Sequence, residues 1–471
     1  MISLSNDEAY KKLLERLKIK IVSITEVVDN SDFRIEAEYY NASKASFKSV
    51  KGSEVEVFSQ YGTSKGLNED GNGYPVLRLN EFDSFFIHAP AKYCDLIDVD
   101  TYESLKLKKN DVLICRTNGN PRYVGKAALV PQDYEYAFAS YLYRIRPDEK
   151  LINSATLVAY LNSVYGRAEI ERLSMVGNQA NFSPAKFRHI EIPVLGPAFQ
   201  KLICSTVETA FTRLNDARVQ YENASVQLSA GMEFDKWKLS ASGVSVRTFK
   251  DISEAGRIDA EYYQPKYDEL LARIRNLGKS TIKTKCNIHD KNFNPEKTVE
   301  YKYIELANIG TAGEICGCTI APGYELPSRA RRMVHKGNII ISSIEGSLQS
   351  CALITDEYDG ALCSTGFFVL DSDEINSETM LVLFKSDPVQ ALLKQQCTGT
   401  VLTAFSKDGL MSIPIPDISD DLQAEIKSSV KESFRLRQSS KNLLEAAKCA
   451  IELAIEQDED KAIAYLKERM E

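Results

Sequence analysis

The chain has 471 residues, a formal net charge of −8 and four histidines. At about 100–200 residues per domain, this length predicts two or more domains. Hydrophobic residues make up 44% and charged residues 26% of the chain, which excludes wholesale disorder. No apolar run approaches the roughly 20 residues that a membrane-spanning helix needs. The overall acidity argues against a free-standing nucleic-acid binder, although binding depends on where the positive charge lies rather than on its sum.

The first residues and the cysteines predict a cytoplasmic location. Residues 1–18 are polar and carry acidic side chains early, so we expect neither a secretory signal nor a transit peptide. The ten cysteines are scattered and form no CxxC pair. This pattern favours reduced, mostly buried thiols.

The chain repeats itself at a spacing of about 223 residues. The segment RIEAEYY at Arg34–Tyr40 returns as RIDAEYY at Arg257–Tyr263, and NFS at Asn181–Ser183 matches AFS at Ala404–Ser406. Two further landmarks follow in the same order, an Ile-Pro exit and an early glutamine in a helical pattern: Ile192-Pro193 with Gln200, and Ile413-Pro414 with Gln423. Four landmarks in one order indicate internal duplication.

Each copy contains short β-branched runs bounded by turn residues, which predict strands. These runs are Tyr74–Asn80, Asp111–Thr117, Gly125–Val130 and Tyr141–Pro147 in the first copy, and Tyr301–Ile309, Gly337–Ser343, Cys351–Thr355 and Thr365–Leu370 in the second. A helical pattern follows each set, at Ser154–Leu173 and Ser377–Gln396, and we expect Pro388 to break or restart the second helix. The sequence therefore predicts an α+β fold with two similar globules in tandem.

Two longer helical stretches, at 197–232 and 419–456, follow the globules. The first has an apolar stripe at Leu202, Val207, Phe211, Leu214 and Val219, and the second begins with Leu422, Ile426, Val430 and Phe434. Because each stripe is narrow, we expect the two helices to pair as an antiparallel coiled coil. Separate packing of each helix on its own globule is the alternative. The predicted division is 1–196 (first globule), 197–235 (central helix), 236–416 (second globule) and 417–471 (C-terminal helix).

This plan resembles the DNA-specificity subunits of Type I restriction-modification systems over nearly the whole chain. The resemblance is carried by the RI(E/D)AEYY boxes, the DVLICRT strand and loop, and the F-S…I-P exit before a helix with an early glutamine. It implies two target-recognition domains that each read one half of a split, asymmetric double-stranded DNA target. The paired helices are then expected to set the distance between the two half-sites. It also implies that the chain is not catalytic, that two methyltransferase subunits dock on it to modify adenines, and that restriction subunits join through these.

In the first copy, the most informative candidate for DNA contact is the stretch Ile114–Lys126. Positive charge is concentrated around it, over Leu105–Arg146. Arginine can hold guanine bidentately, asparagine can hold adenine, and lysine neutralises phosphate. The candidates are Arg116, Asn118, Asn120, Arg122, Tyr123 and Lys126, followed by Arg78, Asn80, Gln179 and Asn181. A solvated loop with ordinary surface charges is the alternative.

The second copy has no arginine in the matching stretch, Ser342–Leu353. Glutamate accepts from cytosine and glutamine suits adenine, so the candidates there are Ser343, Glu345 and Gln349. An earlier basic cluster indicates phosphate clamping: Arg329, Arg331, Arg332 and Lys336. Asn308 is a further candidate for DNA contact. A charged surface turn is again the alternative. We expect the two halves to read different sequences.

No catalytic motif is complete. The segment Asn120-Pro121-Arg122-Tyr123 departs at its third position from the turn that methyltransferases use to hold a flipped base. The segment Gly278-Lys279-Ser280 supplies only the tail of a phosphate-binding loop, and Cys316, Cys318 and His289 lack the paired spacing of a zinc site. We therefore predict no enzyme, no cofactor and no metal. The alternative function is an assembly scaffold of a related phage-defence complex that binds protein partners rather than DNA.

Two segments leave their roles open. The RI(E/D)AEYY boxes favour a structural role, in which the acidic residue pairs with the arginine of the same box. The last residues, 451–471, are acidic but keep several apolar positions. They can be a solvated helix end or a docking helix for a methyltransferase subunit.

Overall fold

The computed structural model describes residues 22–28, 47–82, 85–174, 180–237, 244–399 and 403–470. Its contacts divide the chain into two compact units, the first formed by Met1–Arg213 with Ser439–Glu471 and the second by Leu214–Gln438. The two long helices span Pro197–Gly231 and Asp420–Glu456. Each unit therefore combines a globular part with one segment of each long helix.

The first unit has an α+β architecture. Its elements begin with α1 Ile24–Val28, β1 Ser49–Lys51, α2 Gly52–Val55, β2 Glu56–Tyr61, β3 Tyr74–Leu77, β4 Tyr93–Cys94, α3 Val99–Leu105, β5 Val112–Cys115, β6 Thr117–Asn118, β7 Ala127–Leu129, β8 Ala137–Phe138, β9 Leu142–Pro147, α4 Ser154–Asn162, α5 Val164–Leu173, β10 Ala180–Asn181, α6 Pro184–Phe187, β11 Glu191–Pro193 and α7 Pro197–Gly231. An antiparallel sheet has the order β2-β9-β5-β7, and a smaller sheet β4-β3-β8 has β3 parallel to β8. All four side chains of β5 are buried, since this strand lies inside the larger sheet.

The second unit repeats this architecture. Its elements are α8 Phe249–Ala255, α9 Pro265–Leu277, α10 Ile282–Lys285, β12 Asn287–Ile288, β13 Glu300–Ile304, β14 Thr319–Pro322, β15 Ala330–Met333, β16 Ile339–Ser342, β17 Cys351–Leu353, β18 Leu362–Ser364, β19 Phe367–Asp371, α11 Ser377–Lys385, α12 Asp387–Gln396, α13 Lys407–Ser412 and α14 Asp420–Glu456, while α15 Glu459–Met470 completes the first unit. One antiparallel sheet has the order β12-β19-β16-β17. The other, β14-β13-β18-β15, again has a parallel central pair, β13 and β18.

Gln200 ties α7 to the globular part of the first unit. Its Nε2 donates to the carbonyls of Leu151 (3.0 Å) and Leu195 (2.8 Å), and its Oε1 accepts the N–H of Asn153 (2.9 Å). The Asn153 Nδ2 donates to the Gln200 carbonyl at 3.0 Å. Gln200 is buried, so these bonds satisfy polar atoms that are shielded from water.

Gln423 makes the same set of contacts in the second unit. Its Nε2 donates to the carbonyls of Glu374 and Ile418, both at 3.2 Å, and its Oε1 accepts the N–H of Asn376 at 2.9 Å. The Asn376 Nδ2 donates to the Gln423 carbonyl at 3.1 Å. Each of these residues lies about 223 positions after its counterpart. The repetition read from the sequence is therefore also a repetition of individual hydrogen bonds.

Alanines share the buried stripe of α7 with large apolar residues. Four fully buried positions recur every seventh residue, Ile203 and Ala210 in the first unit and Ala217 and Ala224 in the second, and Phe199 and Val207 are fully buried as well. Val207 is buried as predicted, but Val219 is 52% exposed, so its assignment to the stripe is wrong. Alanine at such heptad positions lets two helices approach closely, which a search for large apolar side chains does not detect.

Hydrogen bonds within each unit show that the segments of α7 and α14 pair antiparallel. In the first unit, the Ser440 Oγ donates to the Ala210 carbonyl at 2.7 Å, and Arg213 bonds to Ser439. In the second unit, Ser433 Oγ donates in the same way to the Ala217 carbonyl at 2.6 Å, and Ser429 Oγ donates to the Gln227 Oε1 at 3.2 Å. A serine hydroxyl reaches the backbone of a neighbouring helix only at close approach. The predicted antiparallel pairing of the helices is confirmed within each unit.

The predicted helices are present, with breaks that the sequence indicates only in part. Pro388 lies in the first turn of α12, which begins directly after α11 ends at Lys385, so the predicted restart is confirmed. The single helix predicted at Ser154–Leu173 is two helices, α4 and α5. The break is at Ser163, whose Oγ accepts the N–H of Gly166 at 3.2 Å and caps α5.

The end of the chain packs on its own unit. The chain turns after Glu456, and Glu459 at the start of α15 accepts the N–H of Gly196 at 2.9 Å. Leu466 is fully buried. Nearby, Glu452 of α14 accepts the N–H of Val164 at 2.8 Å. Of the two alternatives left open for these residues, neither a fully solvated helix end nor docking of a partner through Leu466 fits the burial of this side chain.

The second copy of the repeated box, RIDAEYY, has a structural role. Arg257 forms an ion pair with Asp259 at 2.8 Å, as expected for the box. It also donates to the carbonyls of Gln395 (3.0 Å) and Cys397 (2.9 Å) at the end of α12. The box thereby anchors the start of the second copy to its globular part. The first box, Arg34–Tyr40, lies outside the described residues.

A buried ion cluster joins two strands of the larger sheet in the first unit. Asp111 accepts from Arg144 Nη1 at 3.0 Å and from Arg146 Nε at 2.6 Å. Arg144 is 2% exposed and also donates to the carbonyls of Lys106 and Ser104. Burial lowers the pKa of Arg144, and the nearby Asp111 opposes this shift. The cluster fixes the start of β5 against β9.

Candidate nucleic-acid interface

Backbone hydrogen bonds fix the start of the loop that follows β5. The Arg116 N–H donates to the Tyr141 carbonyl at 2.8 Å, and the Phe182 N–H donates to the Arg116 carbonyl at 2.8 Å. Two residues later, Asn118 lies in β6, which pairs with β10. The side chains of Arg116 and Asn118 are therefore presented from a defined backbone.

Turn chemistry shapes the rest of this loop. The Asn118 Oδ1 accepts the N–H of Asn120 at 2.8 Å, and the Asn120 Oδ1 accepts the N–H of Arg122 at 3.1 Å. Pro121 then opens a 3-10 turn, a position that suits its fixed φ. The Asn-Gly-Asn-Pro segment identified in the sequence thus forms a folded loop, and its side chains at Arg122 and Tyr123 are exposed.

The loop combines cations with exposed aromatic rings. The Arg116 guanidinium lies 5.2 Å from the centre of the Tyr61 ring, and the Lys126 Nζ lies 4.8 Å from that of Tyr123. Tyr61 and Tyr123 are 46% and 42% exposed. The Arg116 Nε is buried without a hydrogen-bond partner among the described residues. Such a surface can contact phosphates through its cations and base edges through arginine.

Two tyrosines that the sequence analysis did not select belong to this surface. Tyr61 is the last residue of β2, and Tyr141 supplies the carbonyl that receives the Arg116 N–H. Burial raises the pKa of Tyr141, and the nearby Arg78 lowers it. The distance of Tyr61 from Arg116 along the chain explains why no local motif reveals the contact.

The secondary candidates of the first copy have separate roles. Arg78 follows β3 and forms an ion pair with Glu81 at 2.8 Å, so its charge is largely compensated. Asn80 is exposed in the short turn between them. Asn181 lies in β10 and pairs with Thr117. Gln179 lies outside the described residues.

The second copy repeats the backbone arrangement around the loop with different side chains. The Ser343 N–H donates to the Gly366 carbonyl at 2.9 Å, and the Phe405 N–H donates to the Ser343 carbonyl at 3.0 Å. The Glu345 N–H donates to the Thr403 carbonyl at 3.0 Å. This contact corresponds to the pairing of β6 with β10 in the first unit. Ser343 and Glu345 therefore correspond to Arg116 and Asn118.

The side chains at these two positions are held differently from those in the first copy. The Ser343 Oγ donates to the Gly366 carbonyl at 2.9 Å. The Glu345 carboxylate lies 4.0 Å from the Lys394 Nζ, and its side chain is 35% exposed. Both positions thus present acceptor oxygens.

Three arginines of the second copy lie at or beside β15. Arg329 is 65% exposed at its side chain and lies 3.9 Å from Glu305. Arg331, at a break in the strand register, donates to the Ser328 carbonyl at 3.0 Å and to Asn294. The remaining two candidates here are Arg332, whose Nε and Nη1 have no hydrogen-bond partner among the described residues, and Asn308, whose Oδ1 accepts the Glu305 N–H at 2.7 Å.

Two candidates of the second copy lie at a distance along the chain from Ser343, one before β16 and one at the end of the loop that Ser343 begins. Lys336 precedes β16, whereas Ser343 follows it, and Lys336 forms an ion pair with Asp356 at 2.7 Å. Gln349 lies in the wall of a cavity of about 810 Å³ that is also lined by residues of α7 and α11. Lys336 therefore lies at the opposite end of β16 from Ser343, whereas Gln349 belongs to the same loop as Ser343 and Glu345.

Across the described ranges, no cluster of three or more His, Cys, Asp or Glu side chains is arranged to hold a metal ion. None of the helices in those ranges combines the length and the apolar character needed to cross a bilayer. None of the ten cysteines, all of which lie in the described ranges, forms a disulfide.

Two curated proteins are similar in sequence to parts of this chain. A stretch of 120 residues is 32% identical to the Type I restriction enzyme EcoKI specificity subunit of Escherichia coli strain K12 and covers 26% of each chain. Another, of 166 residues, is 30% identical to the StySPI specificity subunit of Salmonella potsdam and covers 34% of this chain and 35% of that one. The chain is similar in sequence to Type I restriction specificity subunits. It spans about a quarter to a third of the length of these relatives, and no family model matches it.

Solved structures of such subunits overlap with most of the chain at low identity. The S subunit of a Type I restriction-modification system from M. genitalium covers 89% of this chain and 95% of its own, with a TM-score of 0.33 and 14% identity. The HsdS subunit from Thermoanaerobacter tengcongensis covers 87% and 97%, with a TM-score of 0.28 and 13% identity.

Proposed function

We propose that the chain is the specificity subunit of a Type I restriction-modification complex. In this role it recognises a split, asymmetric target in double-stranded DNA and has no catalytic site of its own. It positions methyltransferase subunits on the DNA, and restriction subunits join the complex through them. The family resemblance of the sequence implies two methyltransferase subunits. The sequence similarity to two specificity subunits supports this proposal.

One observation carries the proposal: a single backbone frame is used twice with different side chains. The same hydrogen bonds hold Arg116 in one unit and Ser343 in the other. A scaffold that binds two identical partners has no need for different side chains at matched, accessible positions. A reader of two different half-sites does need them, because base identity is read by side chains at base edges.

The charge distribution agrees with this role. The chain as a whole is acidic, but Arg116, Arg122 and Lys126 lie on one short loop of the first unit. Arg116 makes no ion pair with a described residue. Because phosphate contacts supply much of the affinity for DNA, we expect weak binding by the chain alone and stronger binding once partner subunits add positive charge.

Selection from a random-sequence DNA duplex library tests the proposal. The full-length chain, with and without a co-expressed methyltransferase, is expected to enrich two short half-sites separated by a constant gap. The double variant Arg116→Ala with Arg122→Ala should lose specificity in one half-site only, at about 1–3 kcal/mol per base contact. Lys150→Ala with Lys201→Ala, which removes two exposed positive charges elsewhere, is the matched control.

The outcome separates a DNA reader from an assembly scaffold. Enrichment of no motif, or equal effects of the two double variants, refutes the DNA-reading role. The scaffold alternative then gains support if the chain still forms a complex with the methyltransferase. Sequencing of modified bases in cells gives an independent readout, since methylation that does not depend on this chain also contradicts the proposal.

A further inference from the structure

The two copies present opposite hydrogen-bonding groups from matched positions. Arg116 and Ser343 are held by the same pair of backbone bonds, and Asn118 and Glu345 by the same bridge two residues later. Matched positions can therefore be compared side chain by side chain. This comparison, which rests on the proposed function, indicates the class of base that each half reads.

The first copy presents donors. The Arg116 guanidinium has only N–H groups to offer, and its Cζ lies 5.2 Å from the centre of the Tyr61 ring. The Asn118 Oδ1 is already occupied by the Asn120 N–H at 2.8 Å. The group that Asn118 can still offer to a ligand as a donor is its Nδ2. Both side chains thus suit base edges that carry acceptors.

The second copy presents acceptors. The hydroxyl hydrogen of Ser343 is committed to the Gly366 carbonyl at 2.9 Å, so its Oγ is left as an acceptor. The Glu345 carboxylate has only acceptor oxygens when ionised. Its nearest cation, Lys394, lies 4.0 Å away, at the limit of an ion pair. These two side chains suit base edges that carry amino groups.

We propose that the first copy reads the acceptor edge of a guanine through Arg116. The second copy reads the exocyclic amino group of a base through Glu345, and cytosine is the preferred base. In the major groove, guanine offers two acceptors, N7 and O6, which match the two parallel N–H groups of arginine. Cytosine offers the N4 amino group, which a glutamate accepts. Tyr61 is a positioning residue that holds the Arg116 guanidinium.

The substitution Glu345→Gln tests the second half of this proposal. Glutamine keeps the size of the side chain but replaces one acceptor oxygen with a donor, so adenine becomes acceptable. Duplex selection with the full-length variant is expected to relax the preference at one position of one half-site by about tenfold, the effect of about 1.4 kcal/mol. The other half-site and the gap remain unchanged.

Lys394→Met is the matched control, because it removes the only cation recorded near Glu345 among the described residues. If Glu345 acts only by holding Lys394, both variants change the motif equally, and the inference is overturned. For the first half, Arg116→Lys keeps the charge but loses the paired N–H groups. It should relax a guanine position by about tenfold, whereas Lys150→Arg, at an exposed lysine outside the candidate surface, should leave that position unchanged.

The possible failures are distinguishable. A wild-type chain that selects no motif even with the co-expressed methyltransferase overturns the proposed function. A wild-type motif that Glu345→Gln and Arg116→Lys both leave unaltered overturns this inference and leaves the proposed function standing. Thermal unfolding of each variant verifies that it folds. The converse variant, Arg116→Ser with Asn118→Glu, is expected to replace the guanine preference of the first half with a preference for an amino-bearing base, and retention of guanine counts against the inference.

Discussion

Gln200 offers a sharp test of how the long helix is joined to the first globular part. The substitution Gln200→Ala removes three side-chain hydrogen bonds, two given by Nε2 and one received by Oε1. Each bond is worth about 0.5–1.5 kcal/mol net, and the partner groups become unsatisfied in a buried site. We therefore expect the free energy of unfolding to fall by about 2–4 kcal/mol.

The assay is equilibrium urea unfolding of the full-length chain, followed by circular dichroism. Lys201→Ala, an exposed neighbour in the same helix, is the control and should change the free energy by less than about 0.5 kcal/mol. Gln200→Glu should cost at least as much as alanine, because an oxygen then faces the carbonyls of Leu151 and Leu195.

The second copy gives an internal comparison. Gln423→Ala should also destabilise the chain, but somewhat less, since the Nε2 bonds of Gln423 are both 3.2 Å long, compared with 3.0 and 2.8 Å for Gln200. A loss below about 0.5 kcal/mol for Gln200→Ala, or one equal to that of Lys201→Ala, would refute the reasoning that these bonds anchor the helix.

Three further perturbations test other parts of the structure. Asp111→Ala should lower the free energy of unfolding by about 3–5 kcal/mol in chemical denaturation, because Arg144 is left buried without its carboxylate partner; an effect near zero contradicts the cluster. Ser440→Leu should lower the melting temperature more than Ser440→Ala does, since the larger side chain does not fit where the helices approach closely, and equal effects argue against that close approach. Burial raises the pKa of the Cys351 thiol to about 12, so the folded chain keeps a proton that the unfolded chain loses. The free energy of unfolding should therefore fall as the pH rises from about 9 toward 12. At neutral pH, a thiol reagent should modify the exposed cysteines first, Cys316 and Cys449, and rapid modification of Cys351 contradicts its burial.

The strands that the sequence reveals are those with continuous β-branched or aliphatic runs. The central strands β5 and β16 are fully buried, and their apolar sequences indicate strands directly. The strand β8 is only two residues long, and its place beside β3 depends on long-range pairing. Local sequence therefore gives no sign of it.

The helix pair shows a different limit of sequence analysis. Its length and pairing were predicted, but the buried stripe was assigned to large apolar residues such as Val219. The stripe includes three fully buried alanines, Ala210, Ala217 and Ala224, and serine hydroxyls of the partner segment bond to the carbonyls of the first two. Alanine is equally common on exposed helix faces, so only the packing shows which alanines are buried.

The candidate site was predicted in part. Residue type and turn chemistry were sufficient to select Arg116 and its loop. They were insufficient to find Tyr61, which comes from another strand, or the ion pair of Lys336 with Asp356. Charge alone does not show which basic side chains are already paired in the folded chain.

The division of the chain into units has a consequence for the order of folding. The second unit is continuous, Leu214–Gln438, whereas the first needs Ser439–Glu471 in addition to the start of the chain. During synthesis the second unit can complete its contacts while the first still lacks Glu452, Glu459 and Leu466. A truncation within the last residues should therefore destabilise the first unit, although most of that unit comes from the N-terminal half of the chain. The second unit, which is closer in sequence to the truncation, should remain folded.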